Sequence, residues 1–188
     1  MRITVGILAE EIRSAQRYAG LSIDHTFRKL EQQQSRFAGS TRQRNIIVGR
    51  VARDVVARVL RDHAIRTTCE ETPPTEWKHY SLVTSGGVFL QVRFIGNRPN
   101  YTNLLEDLRS FHRRHHDFYI ATTSRDELET LEIIGYASRD ELEQRKPRDF
   151  TQGVLNRYVP LARLHPFDEL VQELRSRAGS AAKSRVTT

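Results

Sequence analysis

The apolar positions of this chain change period once, and that change decides what it can fold into. Ile47, Val48, Val51, Val55, Val59 and Leu60 recur at helical spacing over residues 45–63. After the loop signal Thr72-Pro73-Pro74-Thr75, residues 79–84 and 88–95 alternate in the manner of strands. Ser85-Gly86-Gly87 joins those two strands as a hairpin. A basic amphipathic helix running into a β-hairpin calls for a sheet with a helix laid on it.

Flanking segments extend the pattern. Ile3, Ile7, Leu8, Ile12, Ala15 and Ala19 predict a first helix over 3–19, ended by Gly20. Ile23, Phe27, Leu30, Gln34 and Phe37 predict a second over 23–37, broken at Ala38-Gly39-Ser40-Thr41. Leu104, Leu105, Leu108 and Phe111 predict a helix over 101–115, and strands are expected over 117–123 and 130–137. Ser138-Arg139-Asp140-Glu141-Leu142 reads as a capped helix start, with a last helix near 166–175. The expected organisation is a helical arm (1–40), an α/β domain with a four-stranded mixed sheet (41–175) and a disordered basic tail (176–188). At 188 residues, one sizeable core suffices.

Charge narrows the class of partner. The net charge is +7, and 26 of the 30 basic residues are arginine against 4 lysines. Arginine suits bidentate contact with phosphate, although GC-rich coding enriches it as well, so clustering has to decide. Between residues 36 and 66, Arg36, Arg42, Arg44, Arg50, Arg53, Arg58, Arg61 and Arg66 face only Asp54 and Asp62. That stretch reads either as a nucleic-acid surface or as a solvated helix face. The single cysteine, Cys69, excludes a disulfide framework and a cysteine-rich zinc site. No run approaches the roughly 18 apolar residues of a membrane span, so a cytoplasmic protein with no membrane partner is expected.

Gln91 and Arg93 share one face of the strand Val88-Phe89-Leu90-Gln91-Val92-Arg93-Phe94, opposite Leu90 and Val92. With Asn45-x-x-x-Gly49-Arg50-Val51-Ala52-Arg53 before it, Tyr80-Ser81-Leu82-Val83 beside it, and Asp117-Phe118-Tyr119-Ile120 and Glu132-Ile133-Ile134-Gly135-Tyr136 after it, the chain resembles the PD-(D/E)xK, restriction-endonuclease-like superfamily over roughly residues 45–165. The close, Gly135-Tyr136, then Ser138 to Leu142, then Tyr158-Val159-Pro160, is similar to small phage and bacterial members.

The resemblance implies a catalytic motif that has degenerated. The family's helix Glu corresponds to Arg53, its first metal-binding Asp to Ser81, its second acid to Gln91 and its lysine to Arg93. Mg²⁺ wants anionic oxygen, which neither Ser81 nor Gln91 supplies, and arginine is too basic to accept a proton. The expected outcome is a pocket that binds phosphate, most simply of duplex DNA, through Arg42, Arg44, Arg50, Arg53, Arg93, Arg113 and Arg114, without a cofactor. Ser81, Gln91, Arg93 and the 50–54 turn should then converge.

Two alternatives stand beside it. An active Mg²⁺-dependent endonuclease would recruit acids from Asp54, Glu70, Glu71 or Glu76. A structural or assembly subunit of a phage or defence complex, virion-associated if phage-encoded, would use residues 1–37 to pair with a partner protein or a second copy. Weaker signals are His112 and His116 as a metal pair, against which Arg113 and Arg114 act, and Trp77 and Tyr80 as stacking rings. Ser81 and Ser85 with His79 offer no oriented nucleophile.

Overall fold

The computed structural model describes residues 2–30, 36–69, 81–96, 101–124, 128–151 and 153–184, with side chains except over 22–30, 36–42, 179–184 and at 151. Six strands form the main sheet: β1 (Ile3–Gly6), β2 (Thr67–Cys69), β3 (Ser81–Thr84), β4 (Phe89–Phe94), β6 (Phe118–Thr123) and β7 (Thr130–Ser138). Their order is β1-β7-β6-β4-β3-β2. Only β4 and β6 run parallel, with Gln91 beside Tyr119 and Arg93 beside Ala121. A parallel pair needs a crossover, and here β5 (Asn103–Asp107) and α3 (Leu108–Arg113) make it. β5 joins β8 (Arg148–Thr151) and β9 (Val154–Pro160) in a second, antiparallel sheet of order β5-β9-β8.

Alternation assigns each face of the main sheet a different cover. Leu90, Val92, Phe118 and Ile120 enter one core with Val51, Val55 and Val56 of α2 (Arg36–Asp62) and with Phe167, Leu170 and Val171 of α5 (Phe167–Ser184). Ala15 of α1 (Ala9–Leu30) completes that helical layer. On the other face Tyr119 and Ala121 meet Leu104, Phe111, Leu142 and Val159, supplied by β5, α3, α4 (Arg139–Glu143) and β9. The result is a three-layer α/β arrangement with a mixed sheet in the middle.

Gly135 lets β7 change phase. The register with β6 slips so that Ala121 faces Gly135 while Thr122 faces Ile133, and Ile133 and Tyr136 therefore reach the same core. Gly135 has φ +156°, and a Cβ there would lie 2.5 Å from the His165 carbonyl oxygen. A side chain would break the backbone bridge between Tyr136 and His165.

Several expectations are corrected. The main sheet has six strands, because β1 and β2 were hidden: Ile3 and Ile7 fit helical spacing, and β2 is too short to show alternation. Residues 3–6 are an edge strand on β7, and the expected 40/41 boundary falls inside α2. α1 passes through Gly20 because neither glycine nor its neighbours break the hydrogen-bond ladder as proline would, and Ala15 and Ala19 bury fully beside it. Residues 38–41 are helical for the same lack of proline. Over 101–115 the chain forms β5 before α3: Asp107 accepts from the amides of Arg109 and Ser110 and so fixes the helix start there. α5 runs to Ser184, past the expected tail start at Ser176. Among the described residues no helix is long and apolar enough to cross a membrane.

Candidate functional site

The row that alternation places on the inner face of β3 and β4 is real in geometry, and it is closed upon itself. Ser81 and Gln91 are cross-strand partners, and both are fully buried. The Ser81 hydroxyl donates to Gln91 Oε1 at 3.1 Å and lies 2.8 Å from His116 Nε2. His116 Nε2 shares the same hydroxyl, and its tautomer sets whether it donates to or accepts from Ser81. Gln91 Nε2 finds no hydrogen-bond partner among the described residues.

Next along the row, Arg93 sends Nε (2.6 Å) and Nη2 to a single oxygen, Oε2 of Glu106 on β5. Glu106 is 1% exposed and Arg93 20%. Burial pushes the Glu106 carboxyl up, with the Arg93 guanidinium pulling against it. Tyr119, between Gln91 and the second layer, is also pushed up by burial and then by Glu106.

The 50–54 turn of α2 does not join this row. α2 packs on the Leu90–Val92 face of β4, whereas Arg93 points to the opposite side and its partner Glu106 belongs to the second sheet. Arg53 donates through Nε (2.9 Å) and Nη2 (2.6 Å) to Asp54 Oδ1 and is 4% exposed. Arg50 lies over the Tyr18 ring, 3.5 Å from its centroid. Burial, and then Arg53, lower its pKa. Arg58 reaches Glu11 Oε1 (2.9 Å) and the Gly6 carbonyl (2.7 Å). Much of the basic run thus fastens α2 to its own surroundings.

A cleft of about 400 Å³ opens where α2, the end of β4 and β5 meet. Asn45 and Gly49 form one wall, Arg93, Phe94 and Gly96 the floor, and Tyr101 and Asn103 the other wall. Arg93 is the one charged residue among those described as lining it. Tyr101 is 46% exposed, and its ring lies on Gly96, where an added Cβ would come within 2.8 Å of Tyr101 Cε2. Arg44, the residue before Asn45 on α2, is exposed.

The remaining expected residues scatter. Arg113 (exposed) and Arg114 (half-buried) follow β5 at the end away from Tyr101, so they do not line the cleft. His112 is exposed while His116 is buried beyond the end of α3, so the two do not share a helix face. Among the described residues no group of three His, Cys, Asp or Glu side chains could hold a metal ion. The Arg42 side chain, Glu70, Glu71, Glu76, Trp77, His79 and Tyr80 lie outside the described residues. Sequence reasoning missed Glu106, and it weighed His116 only as a metal ligand with His112, not as a partner of Ser81. His116 is 35 positions from Ser81, and Glu106 sat among the polar positions of an expected helix. No family model, no curated protein and no solved structure matches the chain.

Proposed function

We propose that this chain is a nucleic-acid-binding protein on a restriction-endonuclease-like scaffold that does not cut, and that the cleft between α2 and β5 receives the phosphate backbone of duplex DNA. The scaffold reading is supported by the order α2, hairpin β3–β4, crossover, β6, β7, with β4 and β6 parallel. One observation carries the functional reading: the cleft presents a guanidinium, while Ser81 and Gln91 on the strands beside it offer no carboxylate and bond to each other. Phosphate needs the former, and Mg²⁺ would need carboxylates in the latter. Glu106 fixes the orientation of Arg93, so the charge is positioned before ligand arrives. The exposed Arg44, which precedes the cleft residue Asn45 on α2, neutralises a second phosphate, and Tyr101 closes the mouth against the sugar.

The test is fluorescence anisotropy on a labelled duplex, run in EDTA and in Mg²⁺, with a gel for cleavage. Binding should be equal in both and fall with salt, with each phosphate contact contributing about −0.9 to the slope of log K on log salt. Arg44→Ala, at an exposed position, should flatten that slope by about one contact. Mg²⁺-dependent cleavage, or binding indifferent to salt, would overturn the reading.

A further inference from the structure

β8 and β9 of the second sheet carry an outer face beyond the cleft, whose β5 wall reaches Leu105. Val159 points into the core, so its neighbour Tyr158 on β9 points out. Phe150 of β8 meets Tyr158 edge to face, the ring centroids 5.0 Å apart, and remains 38% exposed. Two guanidiniums flank this pair: Arg145 and Arg148 lie 5.6 and 5.4 Å from the Tyr158 centroid. Lys146 is exposed between them.

The surface is held in place from within. Arg157, on the inner face, donates through Nη1 to the carbonyls of Glu143 (3.0 Å) and Arg145, which pins the turn that delivers Arg145. Asp149, next to Arg148 in the chain, accepts from the Gly153 amide at 2.7 Å and so closes the β8–β9 turn. Rings and cations are thus set out on a braced hairpin.

The geometry points to this face as a stacking platform for single-stranded nucleic acid. An apolar partner would strip water from Arg145, Lys146 and Arg148 without compensating them. A duplex keeps its base faces stacked inside and could use only the cations. A single strand uses both, its bases on the rings and its phosphates on the guanidiniums. Arg145, Lys146, Arg148, Phe150 and Tyr158 are not among the described residues that line the cleft, so the two surfaces are tested apart.

The experiment compares a labelled oligothymidylate with a duplex on the full chain. Phe150→Ala should weaken the single strand by about tenfold or more. It should leave duplex affinity and melting temperature near the parent, and Phe150→Trp should retain single-strand affinity. Arg148→Ala should reduce the single-strand salt slope by about 0.7. Arg44→Ala should do the converse, acting on duplex alone. Absence of single-strand binding, an unchanged affinity in Phe150→Ala, or an equal loss on both ligands would overturn the platform. Loss of the Arg44 effect alone would count against the cleft and leave the platform standing.

Discussion

Arg53 and Arg93 carry the same side chain on opposite sides of one sheet, and each rests on a carboxylate. Arg53 takes Asp54, its own neighbour on α2, and the 19% exposure of Asp54 keeps that acid in touch with water. Arg93 takes Glu106 from another sheet, and Glu106 is 1% exposed. The first pair engages Arg53 Nε and Nη2 within one helix, while the buried Nη1 has no hydrogen-bond partner among the described residues. The second ties two layers together and leaves Arg93 in the floor of the cleft. What differs is the cost of separation: remove Arg53 and Asp54 can be solvated, remove Arg93 and a buried carboxylate is stranded.

The largest effect should therefore come from Arg93→Ala, at about 3–5 kcal/mol near neutral pH, measured by urea unfolding. The loss should depend on pH in a defined direction. The Glu106 carboxyl is raised in the folded state, and without Arg93 it rises further. A raised folded pKa gives stability that is present below the unfolded value, about 4.3, and lost as pH rises through the folded one. Arg93→Ala should thus come closest to the parent at acid pH and fall away toward neutrality. A pH-independent deficit would break the contrast with Arg53.

Ser81→Ala comes next. It removes one hydroxyl yet strands two buried groups, Gln91 Oε1 and His116 Nε2, and should cost about 1–3 kcal/mol without changing duplex affinity. A loss of affinity with stability intact would mean that the row contacts ligand. Arg53→Met should stay within about 1 kcal/mol of the parent, since it keeps the packing volume and frees only a partly hydrated acid. Arg44→Ala should leave stability untouched and change only the salt slope of binding.

The contrast between these two arginines also marks what could be read from the sequence. Alternation along Leu90, Gln91, Val92 and Arg93, with the Ser85-Gly86-Gly87 turn, was enough to place Ser81, Gln91 and Arg93 on one face and to find the four central strands. It could not supply the cover of that face. The spacing of Leu104, Leu105, Leu108 and Phe111 satisfies a helix as well as a strand followed by a helix, so β5 and Glu106 were hidden. Arg53 was placed by analogy of position, and helix packing through Val51 and Val55 turned it elsewhere. Local period is legible residue by residue. Which carboxylate meets which guanidinium depends on how the layers close.

The most direct test of the account is the salt dependence of duplex binding in EDTA for the double variant R93A/E106Q beside the parent. The pair replacement removes the guanidinium without stranding a charged carboxylate, so the fold survives the comparison. The parent should bind without metal, and the variant's slope should be flatter by one phosphate contact, about 0.9 in log K on log salt. An identical slope in the two folded proteins, or parent binding that requires Mg²⁺, would contradict it.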